Sequence, residues 1–213
     1  IPGNPFMDVP VPAQVNKSRE YFVTLETIDK VIDACPDAQW RLIVALCRFG
    51  GLRCPSEILT LTWDNVDWEN SRLTINSPKT EHHPGGDSRV IPVFPELRPH
   101  LEIAWEQCKV GDTYVIMRYR RPNPNLGKIL RSIIKRAGVK PWPKLFQNLR
   151  ASRQTELTDK FPLHVVCEWL GNSAPIADKH YLQVTDEHYS NAITSPPGQG
   201  DAKSDAQVAQ RIE

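Results

Sequence analysis

Residues 145–184 restrict the fold of this chain more than any other stretch, because they predict three short helices with defined ends. The apolar spacing from Leu145 to Thr158 favours one helix. A short apolar helix from Leu163 to Leu170 follows it and ends at Gly171. Pro175 suits the first turn of a third helix, which carries Tyr181.

Two side chains in this stretch have chemistry beyond packing. Arginine forms paired hydrogen bonds with phosphate, so Arg150 is a candidate anion ligand. Tyrosine can act as a covalent nucleophile, so Tyr181 is a candidate catalytic residue. Taken alone, such an arginine more often lies on the surface without a ligand, and such a tyrosine is more often a half-buried core residue. The rest of the chain has to decide between these alternatives and a functional role.

Charge is unevenly distributed along the sequence. Eleven of the 26 Lys and Arg residues lie between Thr113 and Thr155, where there is no Asp or Glu, although the net charge of the chain is only +1. Such a block is typical of a surface that binds a polyanion. The alternative is a basic solvated face without a partner.

Helix caps and breakers organise the first third of the chain. Thr24 and Asp37 are predicted to cap two helices, the second of which stops at Gly50-Gly51. Pro55 is predicted to begin another helix, which places Arg53 in the junction near an open helix N-terminus. Glu57 lies about one turn further on and is expected to orient Arg53, or to form a purely structural ion pair with it.

Three short strands are expected next, at residues 63–68, 72–76 and 89–93. The long polar connection at residues 77–88 predicts a hairpin loop, with Lys79 at its base as a candidate proton donor or a merely solvated lysine. Further helices are predicted from Glu96 to Lys109, from Leu126 to Ala137 and from Asp186 to about Ile193. The fold class is therefore α+β: mostly α-helical, with a small three-stranded antiparallel sheet.

Several function classes are disfavoured by composition. No run approaches the roughly 18 apolar residues of a membrane span, so no membrane association is expected. The five cysteines lack metal-type spacing and are predicted to be reduced thiols of a cytoplasmic protein. His82-His83 is weak evidence for a metal, and neither a metal nor a cofactor is expected.

Four segments, in order, resemble the catalytic domain of the tyrosine recombinase (phage integrase) family. They are Gly51-Leu-Arg53 with Glu57-Ile-Leu-x-Leu61-x-Trp63, Lys79-Thr80 followed by Arg89-Val-Ile-Pro92, Asn148-Leu-Arg150, and Leu170-Gly171-x-Ser173 with Tyr181. The resemblance runs from about Thr24 to Ala192. It implies the tyrosine recombinase catalytic-domain fold. It also implies a linker at residues 1–20 from a missing DNA-binding domain, a catalytic domain at 21–194, and a tail at 195–213 that is flexible or docks on a partner.

The resemblance also implies roles for matching residues. Arg53 and Arg150 would clamp the scissile phosphate, Tyr181 would attack it to form a 3′-phosphotyrosyl link, and Lys79 would protonate the leaving oxygen. Glu57 would support Arg53. Gln147 stands where the family usually has His, and Asn172 stands where it usually has His or Trp. Their amides can donate hydrogen bonds but cannot act as general bases.

The implied activity is site-specific DNA recombination or integration by a homo-oligomer on paired sites in double-stranded DNA. Candidate DNA contacts are Arg118, Arg120, Arg121, Lys128, Arg131, Lys135 and Arg153. The main alternative is a catalytically impaired recombinase-like module that still binds DNA. Sequence-independent DNA relaxation by type IB topoisomerase chemistry and a helical protein-interaction domain without a DNA role are lesser alternatives.

Overall fold

The computed structural model describes residues 17–76, 88–120 and 124–194. The chain divides into two compact units, Ile1–Gln183 and Val184–Glu213. The predicted loop with Lys79 and His82-His83, the predicted DNA contact Arg121, and the predicted tail lie outside the described residues, as does most of the predicted linker. The predicted domain boundaries stay predictions.

The described part of the first unit is mostly helical, as predicted. Its helices are α1 (Leu25–Asp33), α2 (Ala38–Arg48), α3 (Arg98–Glu106), α4 (Leu126–Arg136), α5 (Leu145–Thr158), α6 (Leu163–Leu170) and α7 (Ala174–His180). The strands are β1 (Val66–Asp67), β2 (Arg72–Asn76) and β3 (Ser88–Pro92). The second unit contains α8 (Asp186–Thr194). None of the described helices is both long enough and apolar enough to cross a membrane.

The strands form one antiparallel sheet in the order β1-β2-β3. Leu73 pairs with both Val66 and Ile91, and all three side chains are buried. Arg89 shares the inward face of β3 with Ile91, because side chains alternate along a strand. Arg89 therefore lies on the side of β3 that is away from solvent, and β3 packs against α6.

Helix α2 lies at the centre of the core and contacts α1, α3 and α5. Its buried positions cover more than one apolar stripe, and they include Arg48. The Arg48 guanidinium is 0% exposed, donates to the Val23 carbonyl at 2.9 Å, and forms an ion pair with Glu156 on α5. Burial of apolar surface is the main favourable term here, and this pair satisfies the one charge on the helix's inner side.

Local signals placed several element ends correctly. Thr24 accepts the backbone N–H of Thr27 at 3.2 Å, and Asp37 accepts that of Trp40 at 2.9 Å, so both predicted caps are confirmed. The bounds of α5 and α6 also agree with prediction. The helix predicted from Glu96 is shorter at both ends, where turns flank α3.

The predicted helix beginning at Pro55 is wrong. Residues 54–60 form consecutive turns, and the Cys54–Pro55 peptide bond is cis. The backbone N–H groups of Glu57 and Ile58 both donate to the Arg53 carbonyl, at 3.0 and 3.4 Å, so the hydrogen-bond spacing is not uniformly helical.

The first predicted strand is also mostly incorrect. Trp63–Asn65 is a 3₁₀ turn, and only Val66–Asp67 pairs with the sheet. The Asn65 side-chain oxygen accepts the Thr62 backbone N–H at 3.0 Å, which closes the turn before the strand can begin.

Candidate active site

A cavity of about 420 Å³ brings together four of the predicted site residues. Its lining comprises Leu52, Arg53, Cys54, Pro55, Ser56, Phe146, Gln147, Arg150 and Tyr181. The turn segment after α2 supplies one wall, and α5 supplies another. The polypeptide that follows α7 adds Tyr181, so residues far apart in sequence converge on one concave surface.

Arg150 lies on the inner side of α5 and is only 2% exposed. One of its terminal nitrogens donates to the Gly51 carbonyl at 2.5 Å, and the other donates to the Leu170 carbonyl. Its Nε has no hydrogen-bond partner in the described parts of the chain. Burial, reinforced by the positive charge of Arg53, lowers the pKa of Arg150 to about 10, so the guanidinium stays charged at neutral pH.

Arg53 is held from two sides. Its guanidinium donates to Glu57 Oε1 at 2.5 Å and to the Gly171 carbonyl at 2.7 Å. The backbone N–H of Arg53 donates to Glu57 Oε2 at 2.7 Å, so the expected open helix N-terminus is absent at this residue. The Arg53 side chain remains 22% exposed.

Arg89 completes this arrangement, although the sequence assigned it no role. Its two terminal nitrogens donate to the two carboxylate oxygens of Glu57, each at 2.8 Å. Burial alone would raise the pKa of Glu57, but the hydrogen bonds and charge of Arg89 and the charge of Arg53 lower it to about 2. The alternation of β3 was the available signal, since an arginine at an inward position needs a buried counter-ion.

The C-terminus of α6 ties the three arginines together. The carbonyls of Trp169, Leu170 and Gly171 accept hydrogen bonds, in that order, from Arg89, Arg150 and Arg53. A helix C-terminus leaves carbonyls without helical partners and carries a partial negative charge, so it favours cations. These three arginines and Glu57 are called the arginine cluster below.

Tyr181 is half-buried and follows α7 as its C-cap residue, one position beyond the helix that was predicted to carry it. Its ring centroid lies 5.4 Å from the Arg150 guanidinium carbon. The buried Thr155 hydroxyl donates to the Tyr181 carbonyl at 3.3 Å and accepts the Gln183 backbone N–H at 3.1 Å. Thr155 therefore fixes the backbone on both sides of Leu182, a contact that sequence reasoning missed.

The two amide side chains are placed differently. Gln147 is exposed at the mouth of the cavity. Asn172 follows Gly171, and its amide exchanges two hydrogen bonds with the buried Gln154, at 2.9 and 3.3 Å. Within the described ranges, Asn172 is not one of the residues that line the cavity.

The sequence matches the model of the phage integrase family over residues 21–188. The chain belongs to the phage integrase family. No curated protein matches the sequence significantly.

Solved structures of recombinases and integrases share the integrase-family fold. The chain superposes on XerA recombinase with a TM-score of 0.68 at 19% identity, over 82% of this chain and 64% of that chain. A lambda integrase dimer bound to a COC′ core site matches with a TM-score of 0.60 at 18% identity, over 80% of this chain and 49% of that chain. The Tn1549 transposon integrase in complex with transposon right-end DNA matches with a TM-score of 0.60 at 15% identity, over 82% of this chain and 65% of that chain. The predicted fold is confirmed.

The surface of this integrase-family domain carries most of the predicted DNA contacts. Lys128, Arg131 and Lys135 are exposed on α4 and form what is called the α4 face below. Arg118 is exposed but pairs with Asp37 at 2.6 Å. Arg120 lies over the Tyr114 ring, 4.1 Å from its centroid, and donates to the Ile116 carbonyl.

The prediction that Arg153 contacts DNA needs correction. Its side chain is 4% exposed and pairs with Glu96 at 3.3 Å and Glu156 at 3.6 Å. Its guanidinium also lies over the Phe94 ring. Arg153 follows Arg150 by one helical turn on the inner side of α5, but unlike Arg150 it is not among the residues that line the cavity.

Proposed function

We propose that this chain is the catalytic domain of a site-specific DNA recombinase, or integrase, that breaks and rejoins DNA through a 3′-phosphotyrosyl bond at Tyr181. The observation that carries the proposal is the cavity in which Arg53, Arg150 and Tyr181 meet. Two charged guanidiniums beside one tyrosine suit attack on a phosphodiester, because negative charge builds on the phosphate oxygens during the reaction.

In the proposed cleavage step, the Tyr181 oxygen bonds to the phosphorus while the bond from phosphorus to the 5′ oxygen breaks. The departing oxygen takes a proton, for which Lys79 is the family-based candidate donor. The tyrosine proton passes to solvent, since the amides of Gln147 and Asn172 cannot accept it. Attack by a 5′ hydroxyl on the phosphotyrosyl bond would reverse these changes and rejoin the strand.

The hydrogen bonds of the arginine cluster support this assignment. Arg53 and Arg150 each use one N–H of each terminal nitrogen on Glu57 or a backbone carbonyl. The remaining N–H groups can donate to phosphate oxygens without releasing those contacts. Such preorganised donors lose little orientational freedom when the transition state forms.

The proposed partner is double-stranded DNA, acted on by a homo-oligomer at paired sites in the cytoplasm. Exposed lysines and arginines of the α4 face suit contacts with the phosphate backbone. Among the structural relatives, lambda integrase was solved as a dimer on a core site and as a tetramer on a Holliday junction. We extend this mode of assembly to the present chain as part of the proposal.

Covalent trapping tests the function. The protein is incubated at low salt with a pool of nicked suicide duplexes that carry a randomised core, and the products are separated on a denaturing gel. We expect a protein–DNA band that Tyr181→Phe removes while DNA binding is retained. The matched control is Tyr189→Phe, because Tyr189 is an exposed tyrosine of α8.

Other outcomes identify the alternatives. A band that persists in Tyr181→Phe would exclude Tyr181 as the nucleophile. Salt-sensitive DNA binding without a band from any pool member would indicate a recombinase-like binding module. Relaxation of plasmid DNA without sequence preference would indicate topoisomerase chemistry, and the absence of salt-sensitive binding would indicate a protein-interaction domain.

A further inference from the structure

We infer that Arg89 is a positioning residue, which holds both hydrogen-bond partners of the Arg53 guanidinium and thereby sets how Arg53 meets the scissile phosphate. The inference rests on the proposed function and names a further residue of the same site. Arg89 is 6% exposed and is not among the residues that line the cavity, so its action would be indirect.

The first partner is Glu57, whose carboxylate is divided between two arginines. Oε1 accepts from Arg53 at 2.5 Å and from Arg89 at 2.8 Å, and Oε2 accepts from the Arg53 backbone and from Arg89. The two parallel bonds from Arg89 fix the plane of the carboxylate. Glu57 therefore cannot turn to form a second side-chain bond with Arg53, and Arg53 keeps donor groups for a phosphate.

The second partner is the turn at Gly171, whose carbonyl accepts from Arg53 at 2.7 Å. Arg89 donates through Nε to the Trp169 carbonyl two residues earlier, at 2.7 Å. Its side chain also lies against Gly171 itself, because a Cβ built there would be 3.0 Å from Arg89 Cδ. Gly171 has a φ of +65°, so space and backbone conformation both favour glycine beneath Arg89.

Charge and geometry can be separated by substitution. Arg89→Met keeps much of the apolar stem but removes both the charge and the fork. Arg89→Lys keeps the charge but cannot form two parallel bonds to a carboxylate. If Arg89 positions Arg53, the methionine variant loses both the charge and the paired hydrogen bonds to Glu57, and the lysine variant loses only the paired hydrogen bonds.

The principal readout is the single-turnover rate of covalent capture at saturating protein. We expect Arg89→Met to slow capture by about 10- to 100-fold, as small displacements of reacting groups do, with DNA affinity nearly unchanged. Arg48→Met is the matched control, because Arg48 is also a buried, ion-paired arginine but contacts Glu156 and Val23 instead. The control is expected to lose stability without a comparable loss of capture rate.

The pH profile is a readout that a purely structural role would not move. In the native chain Arg89 helps to keep the pKa of Glu57 near 2, so Glu57 stays ionised across the working range. In Arg89→Met, burial raises the pKa of Glu57 and one cation fewer opposes this rise. The capture rate should therefore fall towards acid pH relative to the native chain. Arg89→Lys should restore the native profile while capture stays slower, and adding Glu57→Gln to Arg89→Met should remove the acid limb.

A second measurement needs no DNA reaction. Guanidinium nitrogen NMR of the DNA-free chain reports rotation and hydrogen exchange at Arg53, and both should become faster in Arg89→Met but not in Arg48→Met. Absence of capture by the native chain would reject the proposed function, and this NMR comparison would still support or reject the positioning role. The inference would be overturned if the Arg53 signals were unchanged in Arg89→Met. It would also be overturned if Arg48→Met slowed capture as much as Arg89→Met did and both variants kept the native pH profile.

Discussion

The arginine cluster and the α4 face use the same kind of charge in opposite surroundings. Around the C-terminus of α6, each of the three arginines donates to a different backbone carbonyl of residues 169–171, and Glu57 pairs with two of them. On the α4 face the basic side chains are solvent-exposed. Buried cations lose hydration and need fixed partners, whereas exposed ones keep their water and their rotational freedom.

The contrast assigns different tasks to the two regions. Fixed donors in a cavity can stabilise charge that develops at one atom, which affects the rate of a chemical step. Mobile surface cations attract a polyanion over a distance of roughly a Debye length and are screened by salt, which affects affinity. Substitutions in the cluster should therefore change capture rate, and substitutions on the α4 face should change salt-dependent binding.

The largest effect is expected from Arg150→Ala. Loss of the guanidinium that we propose contacts the phosphate should reduce the single-turnover capture rate by about 10²- to 10³-fold. Lys128→Ala on the α4 face should change that rate by less than about twofold at saturating protein, because it affects mainly affinity. Both rates would be measured on the same suicide duplex pool.

Arg150→Lys and unfolding in urea complete this test. The lysine keeps a charge but has one nitrogen in place of the two that donate to the Gly51 and Leu170 carbonyls, so we expect partial activity. If Arg150→Ala remains folded and captures DNA at the native rate, the contrast between the two regions is wrong.

The next effect concerns stability against pH. The folded pKa of Glu57 is about 2, below its ordinary value of 4.5, so its contribution is fully present above pH 4.5 and is lost as pH falls towards 2. The contribution is on the order of 3 kcal/mol. Urea unfolding of the native chain between these pH values should show this loss, and Glu57→Gln should show less of it.

Glu26→Gln is the control for this titration. Glu26 is an exposed carboxylate that pairs with Lys30 on the surface of α1, and its removal should leave the acid loss of stability nearly intact. An equally steep loss in Glu57→Gln would mean that other carboxylates account for the acid sensitivity of the fold.

A smaller effect is expected on the α4 face. Combining Lys128→Gln, Arg131→Gln and Lys135→Gln should reduce the slope of log affinity against log salt by up to about 3, if each side chain contacts one phosphate. Capture rate at saturating protein should be unchanged. Lys109→Gln, an exposed lysine outside the acid-free block, serves as the control. An unchanged slope in the triple variant would remove α4 from the DNA interface.

The smallest effect on DNA binding is expected from Arg153→Met. This arginine is buried and pairs with Glu96 and Glu156, so the salt slope should be the same as in the native chain. Its loss should lower the free energy of unfolding by about 1–3 kcal/mol, because carboxylates lose their partner. A reduced salt slope in a folded Arg153→Met protein would return Arg153 to the DNA-contacting set.

Local signals in the sequence were sufficient for most elements. Thr24 and Asp37 cap helices through contacts only three residues away, and Gly171 ends α6 in the left-handed conformation. The turn segment at residues 54–60 was not predictable in this way, although Pro55 suits a helix start. Its geometry is coupled to Glu57, which also bonds to Arg89 on β3, so local propensity was not the dominant influence.

The site was only partly predictable for the same reason. The resemblance identified Arg53, Gln147, Arg150 and Tyr181, and the structure brings these four together in one cavity. It did not reveal the pairing of Asn172 with Gln154, or the contact of Thr155 with the Tyr181 backbone. Those partners lie 18 and 26 residues apart, where no periodicity in the sequence links them.

The sequence by itself determined most of the helical segments, the caps at Thr24 and Asp37, the strands β2 and β3, and the order of motifs that marks the phage integrase family. Only the tertiary structure decided which basic side chains a ligand can reach. Arg53 bonds to the Gly171 carbonyl across 118 residues, and Arg89 bonds to that of Trp169 across 80. Burial and hydrogen-bond geometry depend on such distant neighbours, so identical side chains become fixed site groups in one place and solvated surface charges in another.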